Sequence, residues 1–185
     1  MTSAWHLRQA ARRVRAGGII AYPTEAVFGL GCDPLNAAAV QRLLDMKGRA
    51  AAKGLILIAA DLHQLEPYID ELPASRISEI LQSWPGPVTW VVPAAAEAPS
   101  WLSGGRTTLA VRVTGHAVAA DLCRACGIAL VSTSANLSGQ APALTALHVR
   151  QRLGGLVDYL VPGQTGPQRK PTTIRDALSG AILRA

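Results

Sequence analysis

The sequence predicts an α/β fold, with helices packed around a twisted sheet, and three observations carry that reading. Short apolar runs of strand length alternate with amphipathic stretches of helix length along the chain. Leu55-Ile56-Leu57-Ile58 is apolar at every position, the pattern of a strand buried on both faces. The run from Gly18 to Gly31 passes from an apolar strand signal (Gly18-Ile19-Ile20-Ala21) through Pro23, a hydroxyl and a carboxylate to two glycines. Such a run resembles a loop at the C-terminal edge of a buried strand, where α/β proteins build their sites.

In chain order, a helix is expected over 3–16, where Trp5, Leu7, Ala11 and Val14 mark one face. A strand over 18–22 leads into the loop that ends at Gly31. A helix over 36–47 follows, with Asn36 as N-cap, because its side chain can accept from free amides of the first turn. A strand is expected over 54–60 and helices over 61–69 and 74–83. Trp84-Pro85-Gly86-Pro87 forms a rigid turn into a strand over 87–92. Pro93 to Pro99 reads as a surface loop. The remaining expectations are a strand over 108–113, a helix over 116–126, a strand over 128–132, a helix over 145–153 capped by Thr145, and strands over 157–161, 172–176 and 181–184. No internal repeat or low-complexity linker breaks this order, so residues 1–185 are read as one domain.

Composition narrows the class. Hydrophobic residues make up 49% of the chain, which argues against disorder, and aromatic residues only 4%, so Ala, Val, Leu and Ile must fill the core. No apolar run reaches bilayer length, and Met1 to Arg15 carries arginines but no apolar stretch of the signal-peptide type; a cytoplasmic location without membrane attachment is the expectation. Cys32, Cys123 and Cys126 are an odd set that argues against a disulfide scaffold. Cys123 and Cys126 fall in a helical pattern with Val118 and Leu122, and read as packed thiols rather than a metal or redox pair. No metal site is expected from the scattered histidines. The net charge of +6 suits polyanions, nucleotides or RNA, and equally a generic basic surface.

Three polar clusters carry the chemistry. Lys47-Gly48-Arg49 ends the helix 36–47. Cations there complement the helix dipole, but a point charge beside a planar fork also suits phosphate or carboxylate. Arg112 lies inside the apolar strand Leu109-Ala110-Val111-Arg112-Val113, where an unpaired guanidinium is costly; its partner is expected to be Asp33, Glu25 or a bound anion. Ser132-Thr133-Ser134-Ala135-Asn136 follows the strand Ile128 to Val131 and offers small donors and acceptors for a polar ligand, or simply a turn and a cap. A Walker A loop and a nucleophile elbow are absent, and Gly29-Leu30-Gly31 lacks the third glycine of a dinucleotide fingerprint. His116, at a helix start, reads as a surface or capping residue.

Tyr22-Pro23-Thr24-Glu25, Lys47-x-Arg49, Ala110-Val111-Arg112-Val113, Ser132-Thr133-Ser134-Ala135-Asn136, and the tail Thr172-Thr173-Ile174-Arg175-Asp176 with Ile182-Leu183-Arg184 occur in the order and spacing of the YrdC/TsaC family. The chain resembles that family's short bacterial form from about residue 8 to 184. The resemblance implies the YrdC-like fold, an open twisted mixed sheet flanked by helices with a concave basic cleft. It implies a nucleotidyltransferase that joins L-threonine, bicarbonate or CO2, and ATP into threonylcarbamoyl-adenylate and pyrophosphate. ATP would be a substrate, with Mg2+ accompanying it. Other proteins would then transfer the threonylcarbamoyl group to tRNA, giving t6A.

Carried over by motif, the resemblance puts Thr24, Ser132 and Thr172 with L-threonine. It puts Lys47, Arg49, Arg112, Ser134, Asn136 and Arg184 with ATP, and makes Lys47 and Arg49 the catalytic pair. Two positions depart from the family pattern. Ile58 stands near where long-form relatives often carry histidine, and Pro142 stands where Ser or Thr is frequent. The chain is also read as lacking the long form's additional C-terminal domain. Two alternatives stay open: a non-catalytic binder of double-stranded RNA acting in ribosome assembly, and a carbamoyl-adenylate-forming module. Direct contact with tRNA or double-stranded RNA is left undecided by the sequence.

Overall fold

The computed structural model describes residues 2–168 and 171–185. Nine strands among the described residues form one mixed sheet in the order β7-β1-β2-β6-β3-β5-β4-β8-β9. They are β1 (Ile20–Pro23), β2 (Phe28–Gly31), β3 (Ile56–Ala59), β4 (Val88–Pro93), β5 (Thr108–Val113), β6 (Leu130–Ser134), β7 (Tyr159–Leu160), β8 (Thr173–Asp176) and β9 (Ile182–Arg184). The pairs β1–β7, β3–β5 and β4–β8 run parallel, and the others antiparallel. The helices are α1 (Ala4–Arg15), α2 (Ala37–Lys47), α3 (Ile77–Gln82), α4 (Ser100–Ser103), α5 (Ala117–Cys126) and α6 (Ala146–Leu153). This is the open mixed sheet with flanking helices that the sequence led one to expect.

Two apolar layers hold the sheet. Ala10, Ala11 and Val14 of α1 and Ala119, Leu122 and Cys123 of α5 bury Ile20, Tyr22, Ile58 and Leu130. The larger cluster joins Leu43 and Leu44 of α2, Ile80 of α3, and Val149 and Leu153 of α6 to Phe28, Leu30, Leu57, Trp90, Val111 and Val131. Burial of this kind stabilises each large side chain by about 1.5–3 kcal/mol. Alternation along the strands divides the two layers, because successive side chains point to opposite faces. Asn36 accepts from the Ala39 amide and Thr145 from that of His148, so both expected caps form.

Four expectations need correction. Residues 28–31 are a strand rather than the end of a loop: β2 pairs with β1 through the tight segment 24–27. Its glycines hide the strand signal, yet both are required by the packing. A Cβ on Gly31 would overlap the Val131 carbonyl oxygen and come 2.9 Å from the Tyr22 ring, and one on Gly29 would lie 3.1 Å from Thr24 Cγ2. Residues 61–69 form turns and a short 3₁₀ segment, Glu66–Tyr68, not an α-helix. Pro67 has no N–H to continue an α-helical ladder. The four-residue α4 was not foreseen. Ile56, expected to be buried on both faces with its neighbours, is only half-buried, because the helical layer stops short of it.

Cys32, Cys123 and Cys126 are buried and free. Burial pushes the thiols of Cys32 and Cys126 up to about 12, so they sit in the core as packing groups. Among the described residues, no helix is long and apolar enough to cross a membrane.

Candidate functional site

Helices α1 and α5 cover only part of their face of the sheet. Beyond their edge lies a cleft with a cavity volume of about 210 Å³, lined among others by Thr24, Arg49, Ile56, Arg112, Ser132 and Ser134. Thr172 and Arg184 also face it, as does Pro142. All nine site residues named from sequence are therefore at this place or directly behind it, seven of them lining it. Lys47 and Asn136 are the two behind the wall.

The tight segment between β1 and β2 supplies Thr24. Its amide and its hydroxyl both donate to the Val27 carbonyl oxygen, at 3.0 and 2.7 Å, which locks the turn. Glu25 follows, 7% exposed. Its Oε1 accepts from Thr114 Oγ1 at 2.6 Å, and its Oε2 lies 3.2 Å from Arg112 Nη2. The Arg112 N–H is not directed squarely at Oε2, which is left with charge contact but no hydrogen bond. Glu25 is thus the partner of Arg112 from the three the sequence offered. Arg112 is 4% exposed, and its Nη1 donates to Thr172 Oγ1 at 2.8 Å and to Thr89 Oγ1 at 3.3 Å. Asp33 instead accepts from the Leu35 amide.

The opposite wall is built differently. Helix α2 ends in a left-handed Gly48 (φ 57°), whose amide donates to Asp45 O while that of Arg49 donates to Leu44 O. These two bonds close the helix, and they turn the chain so that Lys47 points inward and Arg49 to the cleft. Lys47 Nζ donates to Ser134 O at 2.5 Å and Asn136 O at 2.8 Å, with Asn136 Oδ1 at 3.4 Å. Its three N–H groups hold the loop after β6. Ser134 Oγ donates to Asn136 Oδ1 at 2.6 Å, which completes that cluster. Burial, then the Arg49 charge, pushes the Lys47 ammonium down to about 8.

Arg49 Nη2 donates to Gly54 O at 2.8 Å, and its buried Nε has no partner. Arg184 donates to Thr172 O through Nη2 at 2.8 Å and Nε at 3.2 Å. Burial lowers the guanidinium pKa of both; the Arg106 charge adds to this at Arg49, and the Arg112 and Arg49 charges add to it at Arg184. Among the described residues no carboxylate lies within ion-pair distance of Arg49, Arg184 or Lys47. Arg49 on the α2 wall and Arg184, which shares Thr172 with Arg112, therefore bring uncompensated positive charge to a cleft that also holds the hydroxyls of Ser132 and Ser134.

Sequence reasoning did not find Thr89 and Thr114, which anchor Arg112 and Glu25, nor Ile56 as a cleft residue. The signal for Ile56 was its place two residues before Ile58 on one face of β3. Ile58 itself lies beneath α5, where Cys123 Sγ meets its carbonyl oxygen at 3.6 Å, and does not line the cleft. Of the two departures from the family pattern, only Pro142 is at the cleft. His116 stands at the N-cap of α5 without a side-chain cap bond; its Nε2 lies 3.1 Å from Gln164 O.

Comparison with known proteins identifies the family. The Sua5/YciO/YrdC family model, described as telomere recombination, matches residues 12–185. The threonylcarbamoyl-AMP synthase of Halorhodospira halophila is 58% identical over 183 residues, covering 99% of this chain and 96% of that protein. The threonylcarbamoyl-AMP synthase of Nitrosococcus oceani is 56% identical over 180 residues, 97% of each chain. The crystal structure of P. abyssi Sua5 complexed with L-threonine superposes with a TM-score of 0.92 at 33% identity over 98% of this chain. This chain spans 54% of the length of that Sua5 chain. The fold is that of a YrdC-like α/β protein, and the chain belongs to the Sua5/YciO/YrdC family.

Proposed function

We propose that this chain is a threonylcarbamoyl-AMP synthase. It makes L-threonylcarbamoyladenylate and pyrophosphate from L-threonine, bicarbonate or CO2, and ATP, for the t6A modification of tRNA. The carrying observation is the pairing, in one cleft, of carboxylate-free arginines with a cluster of small hydroxyls. That combination suits an anionic nucleotide beside a small polar amino acid. The relatives named above, at 58% and 56% identity, support the same activity.

In this reading Thr24, Ser132 and Thr172 orient L-threonine, while Arg49 and Arg184 take the triphosphate with Arg112, Ser134 and Asn136 beside them. Lys47 adds its charge from behind the loop and holds Ser134 in place. The threonine amine attacks the carbon of CO2, releasing a proton to solvent, or of bicarbonate, with loss of water, to form a carbamate. A carbamate oxygen then attacks the α-phosphorus of ATP, and the bond to pyrophosphate breaks. No side chain has to act as a nucleophile. The protein positions two substrates and stabilises the charge that develops on the leaving phosphates, which is worth several kcal/mol in a partly dry site.

Among the described residues, the carboxylate beside these groups is Glu25, and it is already engaged with Arg112 and Thr114. The donor set therefore suits a magnesium ion held mainly by phosphate oxygens and water rather than by a protein cage. When bound, such an ion would supply charge neutralisation at the phosphates. Downstream tRNA-modifying proteins would receive the adenylate, in the cytoplasm.

The test is the reaction of purified protein with ATP, Mg2+, labelled bicarbonate and L-threonine, with L-serine as control. Labelled adenylate and pyrophosphate that depend on threonine are expected. ATP left intact, together with salt-sensitive RNA binding, would overturn the synthase reading in favour of an RNA-binding role.

A further inference from the structure

Glu25 has no part in the scheme above, yet among the described residues it is the one acidic residue within ion-pair reach of a cleft arginine. Its placement is unusual in topology. Glu25 comes from the segment after β1, and Arg112 and Thr114 from β5 and its end. In the sheet β2, β6 and β3 lie between those strands. The segment after β1 therefore carries Glu25 to a strand four places along the sheet, where one carboxylate oxygen accepts from Thr114 Oγ1 and the other faces Arg112 Nη2. The backbone around it is pinned as well: the Gly166 amide donates to Thr24 O at 2.9 Å, and a Cβ on Gly166 would press to 3.1 Å from Glu25 Cα.

We propose that Glu25 is a positioning residue, a strut that sets the separation between Thr24 and Arg112 across the cleft. Burying this ion pair brings little net stability over an apolar pair of similar size, because desolvation offsets the Coulomb gain. What it does give is direction. With Nη1 held by Thr172 and Thr89, and Nη2 facing Glu25, the guanidinium plane has one orientation. Glu25 also cancels the Arg112 charge, so Arg112 acts in the cleft as a directed donor rather than as a source of net positive potential. Arg112 borders the nucleotide in the scheme above, but its Nη1 is bonded to Thr172 and the strut joins it to the segment of Thr24, so the larger effect falls on the amino-acid side.

This inference rests on the synthase reading, and its test separates the two. Binding of L-threonine and of ATP is measured by calorimetry, each alone, for the wild type, Glu25→Gln, Arg112→Gln and the double variant. Glu25→Gln keeps an acceptor for Thr114 but removes the charge facing Arg112. It is expected to weaken threonine binding roughly tenfold and ATP binding less than about threefold, as for the loss of one charge-assisted contact. In the Arg112→Gln background the same change is expected to add nothing further, because the strut acts through Arg112. Glu25→Asp should recover part of the loss. Should Glu25→Gln fail to fold, Thr114→Val loosens one end while keeping both charges, with about threefold weaker threonine binding expected. A wild type that binds both ligands, with unchanged threonine binding in the folded variants or with additive losses, overturns the strut alone. A wild type that binds neither ligand overturns the synthase reading, and the strut with it.

Discussion

The cleft carries arginines in two opposite electrical states. Arg112 is buried against a carboxylate and two threonine hydroxyls, so its charge is cancelled locally. Arg49, on the opposite wall, donates to a backbone carbonyl oxygen, and Arg184, beside Arg112, to the carbonyl and hydroxyl oxygens of Thr172; these contacts orient both without neutralising them. A guanidinium of the first kind contributes geometry. One of the second kind contributes potential, and a half-buried one contributes more than an exposed one, because water screens it less. Residue type alone does not say which role an arginine plays; the partner does.

The largest effect expected from this contrast is on the uncompensated arginines. Arg49→Ala and Arg184→Ala should each lower kcat/KM for ATP by about a hundredfold, the scale of losing one transition-state charge contact, with little change in melting temperature. Pyrophosphate release and a thermal melt on the same samples check this. A loss under about threefold would remove the contrast between the two kinds of arginine.

Lys47→Ala should combine both kinds of damage. It strips the donor from Ser134 O and Asn136 O, and leaving such groups buried and unpaired costs about 1–3 kcal/mol. Denaturant unfolding should register that cost, whereas Arg49→Ala should not show it. An unaltered unfolding midpoint would mean that Lys47 does not hold the loop.

The Lys47 ammonium provides a smaller and reversible version of the same test. Its value in the folded protein, about 8, is below the 10.5 of an ordinary lysine. Its charge is in place below about pH 8 and is lost as pH rises through that value. The folded protein gives up this proton before the unfolded chain does. The cost of burying the charge is therefore in force below pH 8 and is relieved between about 8 and 10.5, so this group does not destabilise the fold in alkali. Adenylate formation should decline above about pH 8 while the melting temperature does not fall on account of Lys47. A pH–rate profile with parallel melts checks it, and a flat profile through pH 9 would contradict it.

The smallest effect expected is at Gly48, where the left-handed turn parts Lys47 from Arg49. A Cβ there meets nothing closer than Ser138 Cβ at 3.8 Å, so the cost of Gly48→Ala is conformational, about 1 kcal/mol. It should appear as a modest fall in stability with a modest rise in KM for ATP. A wild-type KM would show that the turn does not aim Arg49.

Much of this was legible in the chain because apolar periodicity and capping are local signals. Strand 108–113 matches β5, and Asn36 and Thr145 cap as read. The failures share a cause. β2 was hidden because Gly29 and Gly31 face Tyr22 and Thr24, a demand set by residues on other strands. Segment 61–69 has apolar residues at helical spacing, but Pro67 and the buried packing of Leu65 and Tyr68 hold it in turns. In the cleft, the residue types were readable, but their pairing was not. Three partners were open for Arg112, and only the strand order, which sequence does not display, brings Glu25 to it.

Arg184 lies on β9, the last strand at one margin of the sheet, joined only to β8 through a bulge. A margin strand opens by fraying, at a free energy far below that of global unfolding. The side of the cleft around Thr172 therefore runs from Arg184 at a labile sheet margin to Arg112 anchored at β5, well inside the sheet. Amide exchange should be fast at Ile182 to Arg184 and slow through Val111 to Val113, and a bound nucleotide should slow it at β9 first. Loading and release of the anionic ligand would then ride on the loosest hydrogen bonds of the sheet, with the rest of the fold left intact.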